Sequence, residues 1–139
     1  MSAKNALLAL RFAADPRRLR RVRERVQVLA EHLGCTRSQV SDLVIAVNEA
    51  CMNIIQHAYR GDKSGQIVLE IRRDGAELEV LLTDFAPPVD HRAIRPRPLH
   101  ELRPGGLGTY FIEASVDDCV YGHLADRVGN YVRMTKKIN

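Results

Sequence analysis

The stretch TRSQVSDLVIAVNEACMNIIQHAY, from Thr36 to Tyr59, has the pattern of a long helix packed against a hydrophobic core. Thr36 and Gln39 form a capping box, which predicts that the helix begins at Arg37 and runs to about Tyr59. Most of the positions that follow are apolar at helical spacing. These are Val40, Leu43, Val44, Val47, Cys51, Ile54, Ile55 and Ala58. The helix is therefore expected to be strongly core-facing.

Three polar residues interrupt this apolar helix at intervals of four residues. Glu49, Asn53 and His57 drift by only about 40° per step, so all three project from one face across two turns. A carboxylate and a carboxamide flanked by so many apolar residues are partly desolvated, which proteins tolerate when such groups have a partner or a task. Taken alone, the pattern also fits an exposed polar stripe on an amphipathic helix, and both interpretations stay open.

The segment before this helix carries the excess positive charge of the chain. Residues 1–34 contain eight Lys or Arg against three Asp or Glu, whereas residues 35–139 contain thirteen against fourteen. A strand is predicted over residues 6–12, followed by an amphipathic helix from Asp15 to Gly34. The apolar stripe of that helix is Leu19, Val22, Val26, Leu29 and Leu33. Six arginines lie off the stripe: Arg17, Arg18, Arg20, Arg21, Arg23 and Arg25.

This arginine-rich face is compatible with three kinds of surface. It is a solvated helix face, a docking surface for an acidic protein, or a grip on the phosphate backbone of a nucleic acid. No aromatic platform and no recognised DNA-reading motif accompanies the charge, so direct nucleic-acid binding is the least favoured of the three.

The remaining sequence predicts four further strands and a short helix. Strands over 67–73 and 77–84 flank the hairpin signal Asp74-Gly75, and strands over 119–125 and 130–138 are joined around Gly129. The order β-α-α-β-β-loop-α-β-β indicates an α+β fold, a two-layer sandwich with helices on one face of a mixed, largely antiparallel sheet. Residues 1–139 are expected to form a single domain.

A proline-rich loop separates the two pairs of strands. Five of the six prolines lie between residues 87 and 104, so a regular element is excluded there and a mobile excursion is expected. Gly105, Gly106 and Gly108 then open a short helix that runs to about Ala114. Glycines before a helix start allow close backbone approach and leave unpaired N–H groups, an arrangement suited to an anion. Alone, this run is weak evidence.

Composition excludes several other classes of protein. With 45% hydrophobic and 27% charged residues and no long apolar run, the chain is not expected to span a membrane. No secretory signal is recognised at the N-terminus, so a cytoplasmic location is expected. The three cysteines, Cys35, Cys51 and Cys119, are too widely spaced for a zinc or redox pair and are expected to be buried thiols.

A carboxylate ends the second predicted hairpin strand, at Asp84-Phe-Ala-Pro-Pro. Such a strand-end carboxylate accepts a hydrogen bond from an amine, for example the exocyclic amine of adenine, although an aspartate at this position is also ordinary turn chemistry.

In order and separation, three stretches together resemble the nucleotide-binding boxes of the GHKL ATPase/kinase superfamily. Glu49-Ala-Cys-Met-Asn53-Ile-Ile-Gln-His57 is similar to its N-box. Asp84-Phe-Ala-Pro-Pro-Val-Asp90 and Gly105-Gly-Leu-Gly-Thr-Tyr-Phe-Ile112 are similar to its two glycine boxes.

The resemblance covers about residues 5–138 and implies a Bergerat fold. A stand-alone domain of this length is similar to the anti-sigma serine/threonine kinases of bacterial partner-switching systems. In that family the kinase phosphorylates a serine of a small STAS-domain anti-anti-sigma protein, and many members also sequester a sigma factor. The resemblance therefore implies ATP and Mg²⁺ as cofactors, a STAS partner, a possible sigma factor and a homodimer, with no direct nucleic-acid contact and no membrane.

The resemblance also implies a role for each matching residue. Asn53 would supply one oxygen to Mg²⁺, Glu49 would act as general base toward the attacking hydroxyl, and Asp84 would recognise adenine. The remaining nucleotide contacts implied are His57, Ala86, Arg103, Gly105, Gly106, Leu107, Gly108, Thr109 and Thr135. Arg92, Arg95, Arg97 and Arg103 would belong to an ATP lid, whose cations meet the triphosphate.

The first glycine box departs from the superfamily pattern, because Ala86 and Pro88 stand at its two glycine positions. Proline excludes a positive φ at position 88, and alanine at 86 would be strained if a positive φ were needed there. An adaptor that binds nucleotide and partners without efficient phosphate transfer is therefore the alternative function. The retention of Glu49 beside Asn53 argues for a kinase, since an interaction module needs no base beside a metal ligand.

Overall fold

The computed structural model describes residues 6–89 and 112–138, which form a five-stranded sheet and two long helices. The strands are β1 (Leu8–Ala13), β2 (Gln66–Asp74), β3 (Glu77–Asp84), β4 (Asp118–His123) and β5 (Asn130–Lys137). Their order across the sheet is β1-β2-β3-β5-β4, and all four pairings are antiparallel. The predicted α+β class is confirmed, with no parallel pairing among the described strands. That residues 1–139 form a single domain stays a prediction.

The arginine-rich segment forms a 3₁₀ turn, Pro16–Arg18, followed by helix α1, Leu19–His32. Asp15 caps the turn, because its carboxylate accepts a hydrogen bond from the Arg17 backbone N–H at 3.0 Å. The predicted apolar stripe is partly confirmed. Its buried members are Leu19, Val22, Val26 and, in place of the two predicted leucines, Ala30. Leu29 and Leu33 are half-buried at its edge, and Gly34 ends the helix at φ +81°.

Helix α2, Arg37–Asn53, begins at the predicted capping box. The Gln39 N–H donates to Thr36 Oγ1 at 3.1 Å, and the Thr36 N–H donates to Gln39 Oε1 at 2.8 Å. The predicted α-helical end at Tyr59 is wrong. From Ile54 to Ala58 the chain makes a π turn, in which the Tyr59 N–H reaches the Ile54 carbonyl at 3.0 Å.

The predicted hairpin of β2 and β3 is confirmed, with its turn one residue later. Asp74 still pairs with Glu77, so the two-residue loop is Gly75-Ala76 rather than Asp74-Gly75. Gly75 has φ +59° and Ala76 does not have a positive φ, which is the pattern of a type II′ turn with glycine first.

The two closing strands are confirmed, with β4 beginning one residue earlier and ending two residues earlier than predicted. A helical turn covers residues 112–115, and the predicted start of that helix at Gly105, Gly106 and Gly108 lies outside the described residues. Strand β5 lies between β3 and β4, so the chain leaving β3 crosses to the sheet edge before it returns beside β3.

Burial alternates along the strands, so one face of the sheet is packed against the helices and the other is open. Leu78, Val80, Leu82 and Asp84 of β3 are buried, whereas the residues between them are half-buried. The same parity on β5 buries Asn130, Val132 and Met134. Asp84 and Asn130 therefore lie at one end of the packed face, where their two strands pair.

The cysteines are free thiols with different degrees of burial. Cys51 is fully buried in α2, and burial raises its pKa to about 12. Cys35 and Cys119 are half-buried rather than buried as predicted. No helix within the described residues is long and apolar enough to cross a membrane.

The alternation along β3 gives a matched pair of truncations. Leu82 has no exposed surface, so Leu82→Ala is expected to lower the free energy of unfolding by about 2–5 kcal/mol through lost burial and a cavity. Its neighbour Leu81 lies on the open face, so Leu81→Ala is expected to cost about 1 kcal/mol or less. Urea unfolding of the two variants measures both values. Equal losses would show that the open face is covered.

Candidate functional site

Helix α2 and the π turn place the three predicted polar residues at two different places. Asn53 is 5% exposed, whereas Glu49 and His57 are half-buried. Because the wider π turn begins directly after Asn53, His57 does not continue the α-helical line of the other two. Asn53 lines a cleft that also contains Asp84, while His57 lines an adjoining depression that is open to solvent. Glu49 lines neither of the two, so the structure joins Asn53, but not Glu49 or His57, to Asp84.

Two buried polar atoms at this end of α2 are unpaired. Asn53 Nδ2 and His57 Nε2 have no hydrogen-bond partner among residues 6–89 and 112–138. A buried polar group left without a partner costs on the order of 1–3 kcal/mol. Because these unpaired atoms belong to residues that line a cleft or a depression, the cost favours a role for them in ligand binding. A 180° rotation of the Asn53 amide exchanges its nitrogen for Oδ1, so the side chain fits an oxygen ligand of a hard cation.

The carboxylate of Asp84 is 2% exposed and only half of its hydrogen-bonding capacity is used. Oδ1 accepts from the Ala86 N–H at 3.0 Å and from Asn130 Nδ2 at 2.9 Å. These two hydrogen bonds both reach Oδ1, and the Asn130 backbone N–H also stabilises the carboxylate. Burial raises the pKa of the Asp84 carboxyl above its ordinary value, and the hydrogen bonds from Asn130 and Ala86 offset part of that rise. Oδ2 is therefore an available acceptor for an N–H donor.

Asn130 holds the chain that follows β3 against the start of β5. Besides its bond to Asp84, Nδ2 donates to the Pro87 carbonyl at 3.1 Å, and Oδ1 accepts from the Val89 N–H at 3.0 Å. The preceding Gly129 permits this approach, since a Cβ there would lie 2.5 Å from the Asp84 carbonyl oxygen. One carboxamide thus fixes both the carboxylate and the backbone after it.

The cleft between these groups is narrow and partly open to solvent. Asn53, Asp84 and Asn130 are its polar lining residues. The others are Ala50, Ile54, Ala58, Val89, Tyr121, Tyr131 and Val132. An apolar cleft with a buried carboxylate acceptor suits a flat heterocycle that carries an amine.

Tyr59 ties the end of α2 to the strands that hold Asp84. Its hydroxyl donates to the Gln66 carbonyl at 2.5 Å and accepts from the Phe85 N–H at 2.8 Å. Its ring packs on Gly65, where an added Cβ would lie 2.4 Å from the ring. Burial raises the pKa of Tyr59, so the hydroxyl stays protonated and able to donate. These two hydrogen bonds, called the Tyr59 clasp below, fix the position of the π turn relative to Asp84.

Sequence reasoning missed Asn130 and placed a contact at Thr135 instead. Thr135 lies five residues farther along β5, pairs with Glu79 and Asp118, and has the parity of the open face. The structure therefore does not bring Thr135 to the cleft. Strand parity was the available signal, because Asn130 shares the parity of the buried apolar residues of β5.

Ala86 is buried and its backbone is unstrained. Arg60 alone, among the described non-glycine residues, has a positive φ, so Ala86 needs no glycine. Its N–H serves as a donor to Asp84 instead. The departure at position 86 is therefore accommodated by the loop that Asn130 holds.

The second glycine box lies outside the described residues. The predicted contacts in this part of the chain stay predictions. They are Arg103, Gly105, Gly106, Leu107, Gly108 and Thr109, together with the proposed lid arginines Arg92, Arg95 and Arg97.

An α+β sandwich in which a strand-end aspartate and a helix asparagine face one apolar cleft places the chain in the GHKL class of ATPases and kinases. A family model described as histidine kinase-like ATPase domain matches residues 12–136. The chain belongs to this family and, within it, to the branch of anti-sigma serine-protein kinases.

Two curated relatives carry the branch assignment. The serine-protein kinase RsbW of Bacillus subtilis (strain 168) is 31% identical over 140 residues, 95% of this chain and 86% of the relative. The serine-protein kinase RsbW of Listeria innocua is 31% identical over 147 residues, 100% of this chain and 92% of the relative.

Two solved structures share the fold at lower identity. SiaB in the SiaB–SiaC complex from Pseudomonas aeruginosa matches with a TM-score of 0.73 and 15% identity, covering 94% of this chain and 89% of that chain. The structure of the RsbU and RsbW domains of Rv1364c from Mycobacterium tuberculosis matches with a TM-score of 0.68 and 20% identity. This chain is covered to 94% and spans about a third, 31%, of that longer chain.

Removal of the Tyr59 hydroxyl tests the clasp. Tyr59→Phe loses both hydrogen bonds and leaves the Phe85 N–H unpaired, so a loss of about 1–3 kcal/mol in unfolding free energy is expected from urea titration. Tyr131→Phe is the matched control, since no described residue bonds to that hydroxyl, and a change within about 0.5 kcal/mol is expected. Equal losses of unfolding free energy in the two variants would show that the Tyr59 hydrogen bonds do not stabilise the fold.

The raised pKa of Asp84 makes the stability of an Asp84→Asn variant depend on pH. Because the folded pKa lies above the unfolded pKa, ionised Asp84 destabilises the fold above the folded pKa and does not below the unfolded one. We therefore expect Asp84→Asn to gain stability relative to the parent protein as pH rises from about 3 to 7. Urea midpoints across that range measure the difference. A gain that shrinks with rising pH would contradict the sign.

Proposed function

We propose that this chain is an ATP- and Mg²⁺-dependent serine/threonine kinase that acts as an anti-sigma factor in a partner-switching system. Its substrate would be a serine of a STAS-domain anti-anti-sigma protein. The observation that carries the proposal is one cleft lined by both the buried Asp84 carboxylate and Asn53, whose Nδ2 has no described hydrogen-bond partner, in a chain of the kinase branch.

Adenine is the base that best fits the Asp84 end of the cleft. The exocyclic amine donates a hydrogen bond, and Oδ2 is an acceptor left open by the contacts of Oδ1. The ring would lie among Ala50, Ile54 and Val132. A guanine carries a carbonyl oxygen at the corresponding ring position, and a carboxylate repels it, which gives selectivity for adenine.

Asn53 is the residue that would hold the magnesium ion. Its side chain can present a neutral oxygen to the cleft, and no described group is hydrogen-bonded to its amide nitrogen. The ion, when bound, neutralises charge on the transferring phosphoryl group. Asn53 thereby also fixes which end of the cleft receives the phosphates.

Glu49 would handle the proton of the attacking serine. It lies one helical turn before Asn53 on the same face of α2 and is half-buried, so a substrate hydroxyl can reach it from solvent. Its carboxylate orients the hydroxyl and accepts its proton as the oxygen bonds to the γ-phosphorus and the bond to the β-phosphate oxygen breaks. The phosphate contacts proposed for Gly105, Gly106 and Gly108 would complete the site.

The proposed partners follow from the same branch. A STAS-domain protein would present the serine, and a sigma factor would compete with it for the kinase. A homodimer and a cytoplasmic location are proposed with them. An adaptor without phosphate transfer stays the alternative, although the unstrained backbone at Ala86 removes one reason for it.

Two substitutions on α2 separate the proposed roles. Asn53→Ala is expected to lose both ATP binding and transfer, because metal and phosphates lose their protein anchor. Glu49→Gln is expected to keep ATP binding, shown by thermal stabilisation that rises with ATP and Mg²⁺, while radiolabelled phosphate transfer to the STAS protein falls by about 10²–10⁴-fold.

Asp42→Asn serves as the control, since this α2 carboxylate lies about two helical turns before Glu49 and pairs with Lys136. Full transfer activity in Glu49→Gln would exclude the general-base role. ATP binding without any transfer in the parent protein would establish the adaptor instead.

A further inference from the structure

The structure divides the six arginines of the basic segment into two groups of three. Arg17 pairs with Asp15 at 2.8 Å, Arg20 pairs with Glu24 at 3.3 Å, and Arg23 donates to Asn48 at 2.9 Å. The other group makes no ion pair with any described residue. It consists of Arg18, Arg21 and Arg25. Arg18, Arg21 and Arg25 thus differ from the first group in having neither an ion pair nor a side-chain hydrogen bond to a described residue.

The unpaired arginines line one groove, with Arg18 at the end of the 3₁₀ turn and Arg21 and Arg25 on α1. Positions 18, 21 and 25 recur at i, i+3 and i+7, which places the three side chains over about 10 Å of helix. The groove runs between this stripe and residues 10–13 of β1, and Arg11 is a further member of its wall. Its empty volume is about 1000 Å³, including open space, and its lining contains no acidic residue.

Strand β1 supplies the floor of this groove with an open edge. Within the described part of the chain, β1 pairs with β2 alone and ends the sheet. The Ala14 N–H donates to the Gly65 carbonyl at 2.8 Å in the same register, so within Leu8–Ala13 the even-numbered residues bond to β2, and the Leu7 N–H before the strand also donates to the Ile71 carbonyl at 2.7 Å. By the alternation of an antiparallel pair, the backbone N–H and C=O of Ala9 and Arg11 point away from the sheet.

We propose that this groove binds an extended acidic segment of a partner protein, which adds to β1 as a sixth strand. Side chains alternate along a strand, so every second residue of the segment would face α1, at intervals of about 7 Å. Acidic residues at two such positions would meet Arg21 and Arg25. The β1 groove is the surface formed by Arg18, Arg21 and Arg25 with residues 10–13.

A peptide fits this surface better than a nucleic acid does. The edge of β1 offers donors and acceptors in alternation, and a peptide backbone satisfies both, whereas a phosphate backbone satisfies donors alone. A second copy of this chain, paired edge to edge, would bring two unpaired arginine stripes together. Charge and edge chemistry therefore favour an acidic strand.

The proposal does not rest on nucleotide binding and is tested without ATP. The probe is a fluorescein-labelled eight-residue peptide of alternating Glu and Val, titrated with the full chain and followed by fluorescence anisotropy at about 0.15 M salt. Arg21→Ala with Arg25→Ala is expected to weaken binding about tenfold. Arg127→Ala with Arg133→Ala removes equal charge from exposed positions outside the groove and is expected to change binding by less than about twofold.

Two N-methylated peptides test strand addition separately from charge. One is methylated at every Val and the other at every Glu, and only one set of N–H groups faces β1 in a paired strand. Loss of binding in one of the two is expected. Equal binding of both would overturn strand addition, and equal weakening by the two arginine pairs would overturn the β1 groove.

Two further outcomes identify a different occupant. Tighter binding of a labelled eight-nucleotide single-stranded DNA, lost with Arg21→Ala and Arg25→Ala, would assign the surface to nucleic acid and overturn the proposal. A change in the mass of the peptide-free protein in sedimentation with the same variants would assign it to a second copy. Because Asn53→Ala leaves the groove intact, peptide binding by that variant keeps this test independent of the kinase proposal.

Discussion

The hydrogen bond between Asn130 and Asp84 is the contact on which the rest of the site depends. A carboxylate that is 2% exposed is costly unless it is hydrogen-bonded, and the Asn130 amide supplies that bond at 2.9 Å. The same amide also bonds to the backbone at Pro87 and Val89. One side chain therefore keeps the acceptor buried, leaves its second oxygen open, and sets the path of the chain below it.

The helical side of the cleft is held by a different device. Tyr59 spans from the π turn to the backbone of both β2 and β3, so the end of α2 cannot move relative to Asp84 without breaking two hydrogen bonds. The π turn also rotates His57 away from the line of Asn53. The cleft thus lies between a helix end held by Tyr59 and a strand end held by Asn130. This arrangement suits a ligand that needs both ends at a fixed distance.

The role of the arginines in the basic segment can be inferred only from which of them have intramolecular partners. Sequence gives six arginines on one segment, and a solvated face or a docking surface explains them equally well. Two of them form ion pairs, with Asp15 and Glu24, and a third donates to the neutral Asn48 amide, whereas the other three lie beside the open edge of β1. Recognition of adenine and recognition of a partner are then carried out at separate surfaces, so that each is open to independent substitution.

Local sequence determined the elements and part of the site. The capping box at Thr36, the apolar spacing of α2 and the glycine turn at Gly75 depend on neighbours within four residues, so the helix start and the hairpin could be predicted. Asp84 and Asn53 were identified through motif resemblance. Strand parity was readable as well, yet it gives the face of a residue and not its neighbour.

Tertiary structure decided what meets across those elements. The insertion of β5 between β3 and β4 is a non-local pairing, and it brings Asn130 rather than Thr135 to Asp84. The residues of the π turn after Asn53 have the apolar spacing of an α-helix, so the sequence does not predict the π turn. The hydrogen bonds of Tyr59 that accompany the turn cannot be predicted from that spacing either. The contact of Arg23 with Asn48 likewise depends on packing between α1 and α2, because the two residues are 25 positions apart and residue spacing alone does not bring them together.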